Sequence, residues 1–170
     1  MLKNGIKDPV SALTHFIGLL ACIPCIFDLI FQASHQDAMT QVIGFAIFGL
    51  SLVLLYGAST IYHTLYVSEA KTILLRRIDH IMIFVLIAGT YTPICLVSLA
   101  GPWGWTMLAL IWILAIGGAV MKIFWIQAPR WLSTSLYIIM GWLAVIAFVP
   151  LQRAVSWDGV GLLLAGGLAY

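Results

Sequence analysis

The stretch 42–67, VIGFAIFGLSLVLLYGASTIYHTLYV, contains no Asp, Glu, Lys or Arg. A helix needs about 20 mostly apolar residues to cross the hydrocarbon core of a bilayer, so this segment alone puts the chain in a membrane. The flanking sequence repeats the pattern. Helices are predicted at about 10–31, 42–67, 78–99, 103–126 and 132–150, with a partial sixth at 159–170. These runs are continuously apolar, without the roughly ten-residue alternation of membrane barrel strands. The expected fold class is all-α: a polytopic membrane helix bundle with five full transmembrane helices plus a partial sixth, forming a single domain over residues 1–170.

Composition agrees. Of 170 residues, 63% are hydrophobic and 8% charged, against about 25% charged in a soluble domain. The net charge of +2 is too small for an electrostatic nucleic-acid footprint. A mean hydropathy of +1.09 excludes disorder. Cys22, Cys25 and Cys95 all lie in apolar runs. Cys22 and Cys25 form a C-x-x-C around Pro24, but thiolates are costly in lipid, and plain apolar packing is the expectation. The first apolar run is too long for a signal peptide and is read as a retained helix. The sixth run ends in mid-membrane at Tyr170, where unpaired carbonyls would face lipid, so the chain is expected to be truncated at its C-terminal side.

Cytoplasmic loops carry an excess of Lys and Arg. Lys3 and Lys7 precede the first span, Lys71, Arg76 and Arg77 lie between the second and third, and Lys122 and Arg130 follow the fourth. These regions share one side and hold seven of the eight basic residues, with Arg153 the exception. The expectation is a multi-pass protein of the cell (plasma) membrane with a cytoplasmic N-terminus. Trp103, Trp105, Trp131 and Trp157 stand near span ends, as an interfacial aromatic belt would place them.

Ionisable groups inside a membrane are expensive and so are functional candidates. With this orientation His15, Ser59, His63, Asp79 and His80 fall at one depth on the inner side, whereas His35 and Asp37 sit in a loop. Ser59 and His63, four residues apart, share a helix face. The hydroxyl could orient the ring, a metal-bound water or a carbonyl; equally it could bond back to its own helix while His63 reaches the interface. Asp79 is expected in the first turn of the third helix, either as its N-terminal cap or as a proton acceptor beside His63. His80 is turned about 100° from Asp79, so the two cannot face one site squarely. Pro93, in Ala88-Gly89-Thr90-Tyr91-Thr92-Pro93, predicts a kink relieved by Thr90 and Thr92. Gly117 and Gly118 predict close helix packing.

Ser59-Thr60-Ile61-Tyr62-His63, Asp79-His80, and Ile83-Phe84 followed by Leu86 through Pro93 resemble the hemolysin III family. Thr14-His15 with Gly18, Met140-Gly141-Trp142 and Gly166-Gly167 are similar to its other blocks, so the likeness runs from about Thr14 to Tyr170. That family shares a superfamily with the adiponectin and progestin receptors (PAQR) and the alkaline ceramidases. The resemblance implies a seven-helix fold and a zinc ion near the cytoplasmic face. It implies His63 as a metal ligand, with two further His ligands from an H-x-x-x-H expected beyond Tyr170, and it carries Asp79 and Ser59 over as catalytic candidates. A zinc-dependent membrane hydrolase acting on a lipid amide or ester is then one expectation. A non-catalytic membrane regulator or receptor-like protein and a cytolytic pore-forming hemolysin are the others. A pore needs a polar stripe along several spans, and the outer halves here are nearly free of charge.

Overall fold

The computed structural model describes residues 5–36 and 38–169; Lys3, Asp37 and Tyr170 lie outside the described residues. Every regular element among them is helical. In chain order these are α1 (Pro9–His35), α2 (Met39–Thr64), α3 (Glu69–Pro93), α4 (Pro102–Phe124), α5 (Arg130–Trp142), α6 (Phe148–Ala154) and α7 (Trp157–Ala169). α1 to α4 are each long and apolar enough to cross a membrane, and the polytopic helical bundle is as the apolar runs require. Consecutive helices pack on one another from α1 through α4. The densest core lies where α3 and α4 meet α5, with Phe84, Thr92, Cys95, Ile111 and Met140 fully buried. α1 is the opposite case: it buries Ala12, Cys22 and Ala33 and turns Val10, Leu13 and Phe27 outward, as a lipid-facing helix does. The cysteines are all free, Cys25 exposed and the other two buried.

Several boundaries differ from the sequence expectation. α1 continues past residue 31 to His35, which closes the helix rather than sitting in a loop, because Gln32, Ala33 and Ser34 are polar or small but do not break a helix. Residues 69–77, read as a charged loop, form the first turns of α3. Lys71, Arg76 and Arg77 exclude this segment from hydrocarbon but not from a helix, and Ala70, Leu74, Leu75 and the basic residues are good helix formers. Glu69 in the first turn also suits the positive helix start. Asp79 therefore stands about three turns into α3 rather than at its start, and the capping role falls away. α2 ends at Thr64, three residues before its apolar run does, because Leu65 takes an extended conformation.

The fifth span is broken rather than continuous over 132–150. Arg130–Val145, whose last three residues form a 3₁₀ turn, meets Phe148–Ala154 at a 57° bend. Pro150 supplies the reason: its ring clashes with the carbonyl of Ile146 and it has no N–H to donate there. At Pro93 the expected kink takes another form. α3 continues into a π-helical segment, Ile94–Ser98, in which Leu99 N donates to Ile94 O at 2.9 Å. Thr92 Oγ1 donates to Ala88 O at 2.9 Å and accepts from Trp112 Nε1 at 3.2 Å, so polar atoms near the break are satisfied. Gly101, at φ +109°, then makes the turn into α4, which Pro102 starts.

Helix register follows from close approaches. A Cβ at Gly44 would meet the Pro93 backbone at 3.0 Å, and one at Gly89 would overlap Ser51. Of the two packing glycines expected in α4, Gly118 lies against the Phe84 ring, whereas Gly117 faces open space.

Candidate functional site

α2 and α3 run antiparallel, with Gly44 opposite Pro93 and Ser51 opposite Gly89. Continuing that register brings Ser59 to the level of Asp79 and His80. α1 is tied to α2 at the same end. Asp8 N donates to His63 O at 2.9 Å, and Lys7 N to Thr64 O at 3.3 Å. His15 consequently lies against both His63 and Tyr56. The five polar residues expected at one depth do share one end of the three-helix unit.

They do not all touch. The imidazoles of His15 and His63 stack with centroids 5.6 Å apart and planes 22° apart. His63 Nδ1 lies 3.0 Å from Asp8 Oδ2. A carboxylate only accepts, so Nδ1 carries the hydrogen and the lone pair of the neutral ring is on Nε2. His15 Nδ1 likewise donates to Ser11 O at 2.7 Å. Both rings thus commit Nδ1 and leave Nε2 uncommitted. Ser59 is buried at 3% exposure and Asp79 at 8%, and among the described residues no hydrogen bond or ion pair joins either to His63. His80 is engaged elsewhere: its carbonyl accepts from Tyr137 Oη at 3.2 Å, and the residue lines a cavity between α3, α4 and α5 that Tyr62 also borders.

Asp8 and Lys7 are the members that sequence reasoning missed. Lys7 Nζ donates to Tyr62 O at 3.1 Å, stands 3.4 Å from the centre of the Tyr62 ring, and lies 3.8 Å from Asp8 Oδ2. It therefore holds Tyr62 and the carboxylate beside His63 together. Asp8 immediately precedes a helix that starts with Pro9, which reads as an ordinary N-terminal cap. Its side chain makes no such capping bond and reaches α2 instead. The signal available in the sequence was positional: α1 begins on the side where α2 ends.

As a metal site the described residues are partial. His63 fits as a ligand, because its second nitrogen is held by a carboxylate, the usual outer-sphere arrangement of a metal-binding imidazole. Among the described residues no group of three His, Cys, Asp or Glu side chains converges to complete a coordination shell.

Comparison with known proteins accords with this architecture. The family model described as "Haemolysin-III related" matches residues 4–170. "Hemolysin-3" of Bacillus cereus is 44% identical over 170 residues, covering 99% of this chain and 77% of that protein. "Hemolysin-3 homolog" of Bacillus subtilis (strain 168) is 45% identical over 166 residues, covering 97% of this chain and 78% of that protein. A more distant similarity, 26% over 131 residues, joins 73% of the chain to 52% of the human "Monocyte to macrophage differentiation factor". No solved structure matches. With helices of membrane-spanning length and a family match over nearly all its residues, the chain belongs to the haemolysin-III-related family of multi-pass membrane proteins.

Proposed function

We propose that this protein is a metal-dependent membrane hydrolase whose site is built around His63, on the cytoplasmic side of the cell membrane, with a lipid amide or ester as substrate. The observation that carries the reading is the 3.0 Å bond between His63 Nδ1 and Asp8 Oδ2. It fixes the ring orientation and tautomer and leaves the lone pair on Nε2, free for a metal. The remaining ligands would be the H-x-x-x-H pair that the family resemblance implies. A zinc ion so held supplies a water whose pKa is lowered to about 7. Asp79, buried on α3 at the level of Ser59, would take up a proton, and the Ser59 hydroxyl would orient a substrate carbonyl. The basic residues at this end of the bundle support a cytoplasmic location.

Metal content of the full-length protein tests the ligand assignment. His63→Ala is expected to abolish bound zinc, and Asp8→Asn to weaken it about 10- to 100-fold. Zinc content unchanged in His63→Ala would overturn the assignment. Turnover of ceramide or lysolipid, lost in Asp79→Ala with zinc retained, tests the chemistry. A zinc-loaded protein that turns over neither substrate class would instead be a non-catalytic membrane regulator. The names of its Bacillus relatives favour a cytolytic reading as well. Dye leakage from liposomes bearing the purified protein would establish that activity, and sealed liposomes would exclude it.

A further inference from the structure

A second polar site lies between α3, α4 and α5 and reaches Tyr62 of α2, the sequence neighbour of His63. It is a cavity of about 660 Å³ lined by Arg76, His80, Lys122, Arg130 and Ser133, among others, and no acidic side chain lines it. Lys122 is 3% exposed, and among the described residues it has no hydrogen bond or ion pair. Its neighbours are also unsatisfied: Arg76 Nε, His80 Nδ1 and Ser133 Oγ are buried with no hydrogen-bond partner. A buried charge without a partner is strongly unfavourable, and so is each buried donor left unpaired. Three such atoms around one cavity, beside a largely buried lysine with no ion pair among the described residues, form a polar set awaiting a partner.

We propose that this cavity binds a phosphate group. Arg76, Lys122 and Arg130 supply three positive charges, Ser133 adds a hydroxyl donor, and His80 adds a further donor in the tautomer that carries hydrogen on Nδ1. A tetrahedral oxyanion carries enough acceptors to satisfy several of these at once. A lone carboxylate offers fewer oxygens and half the charge of a phosphate monoester. The volume exceeds that of phosphate alone, leaving room for what the phosphate is attached to. Arg76, Lys122 and Arg130 also belong to the basic side of the protein, where anionic headgroups gather. The phosphate can come from an anionic phospholipid or from solution.

Thermal unfolding of the full chain in detergent separates the two sources, with inorganic phosphate and dioleoyl phosphatidic acid as probes and phosphatidylcholine as control. For wild type, a saturating probe is expected to raise the midpoint by about 5 °C. A rise with phosphatidic acid alone identifies a headgroup site, and a rise with both probes a site open to soluble phosphate. Lys122→Met should lose the rise while staying about as stable as wild type without ligand, since among the described residues Lys122 makes no ion pair or hydrogen bond that the change would remove. Ser133→Ala keeps the charges and should weaken binding about 5- to 10-fold; it serves as the test should Lys122→Met fail to fold. Lys71→Gln, an exposed lysine on the same side, should bind normally. No rise with either probe, or an equal rise in Lys122→Met and Ser133→Ala, overturns the proposal.

Discussion

Gly104→Val is expected to destabilise the protein by about 3 kcal/mol, at the upper end of ordinary overpacking costs. Any Cβ at this position would run into the carbonyl oxygens of Cys95 and Leu99. Both oxygens are main-chain atoms of the segment that carries the chain out of the π-helical turn, beneath buried Cys95 and Leu99. A side chain in the way can change rotamer, but these carbonyls move only if the turn between α3 and α4 opens. A matched control lies in the same helix: Gly117→Val puts its Cβ where nothing approaches within 4 Å, and should change stability by less than about 0.5 kcal/mol. Thermal midpoints of the two variants in the same detergent make the comparison. Equal midpoints would mean that α4 does not approach the turn so closely.

Tyr91→Phe should cost a similar amount, about 3 kcal/mol, although it removes a single oxygen and leaves no cavity. Tyr91 Oη donates to Gly141 O at 2.8 Å and accepts from Ala144 N at 2.8 Å. These two groups flank the point where α5 gives way to the 3₁₀ turn at Leu143–Val145, so neither is served by a regular helical ladder. One hydroxyl satisfies both; its loss leaves an acceptor on exposed Gly141 and a donor on half-buried Ala144 facing hydrocarbon rather than water, at about 1–3 kcal/mol each. Besides a lower midpoint, hydrogen exchange at the Ala144 amide should accelerate markedly. Exchange at wild-type rates would show that the bend holds itself without Tyr91.

The spans were legible because hydrocarbon imposes one requirement over some 20 residues, and runs such as 42–67 satisfy it unambiguously. The helix ends were not. Lys71, Arg76 and Arg77 mark where hydrocarbon stops, and α3 continues past that point to Glu69. The common level of His15, Ser59, His63 and Asp79 was legible because alternating span direction fixes depth from sequence position alone. Which of them touch depends on helix rotation, and hydropathy does not encode rotation. Lys122 shows the same limit. As a charge near a span end it was counted toward orientation, yet the packing of α3 against α4 and α5 encloses it. Asp8 escaped notice because its partner is 55 residues away on another helix.

The tie between the first helix and the end of the second has a practical corollary for protein engineering. Main-chain bonds from Lys7 and Asp8 pin these residues to Thr64 and His63, and Pro9 begins the helix in the very next position. One extra amino acid inserted between Asp8 and Pro9 would put helix phase and carboxylate position out of step by about 100°. Affinity tags and fusion partners are therefore best joined upstream of Gly5, where added length leaves that phasing intact.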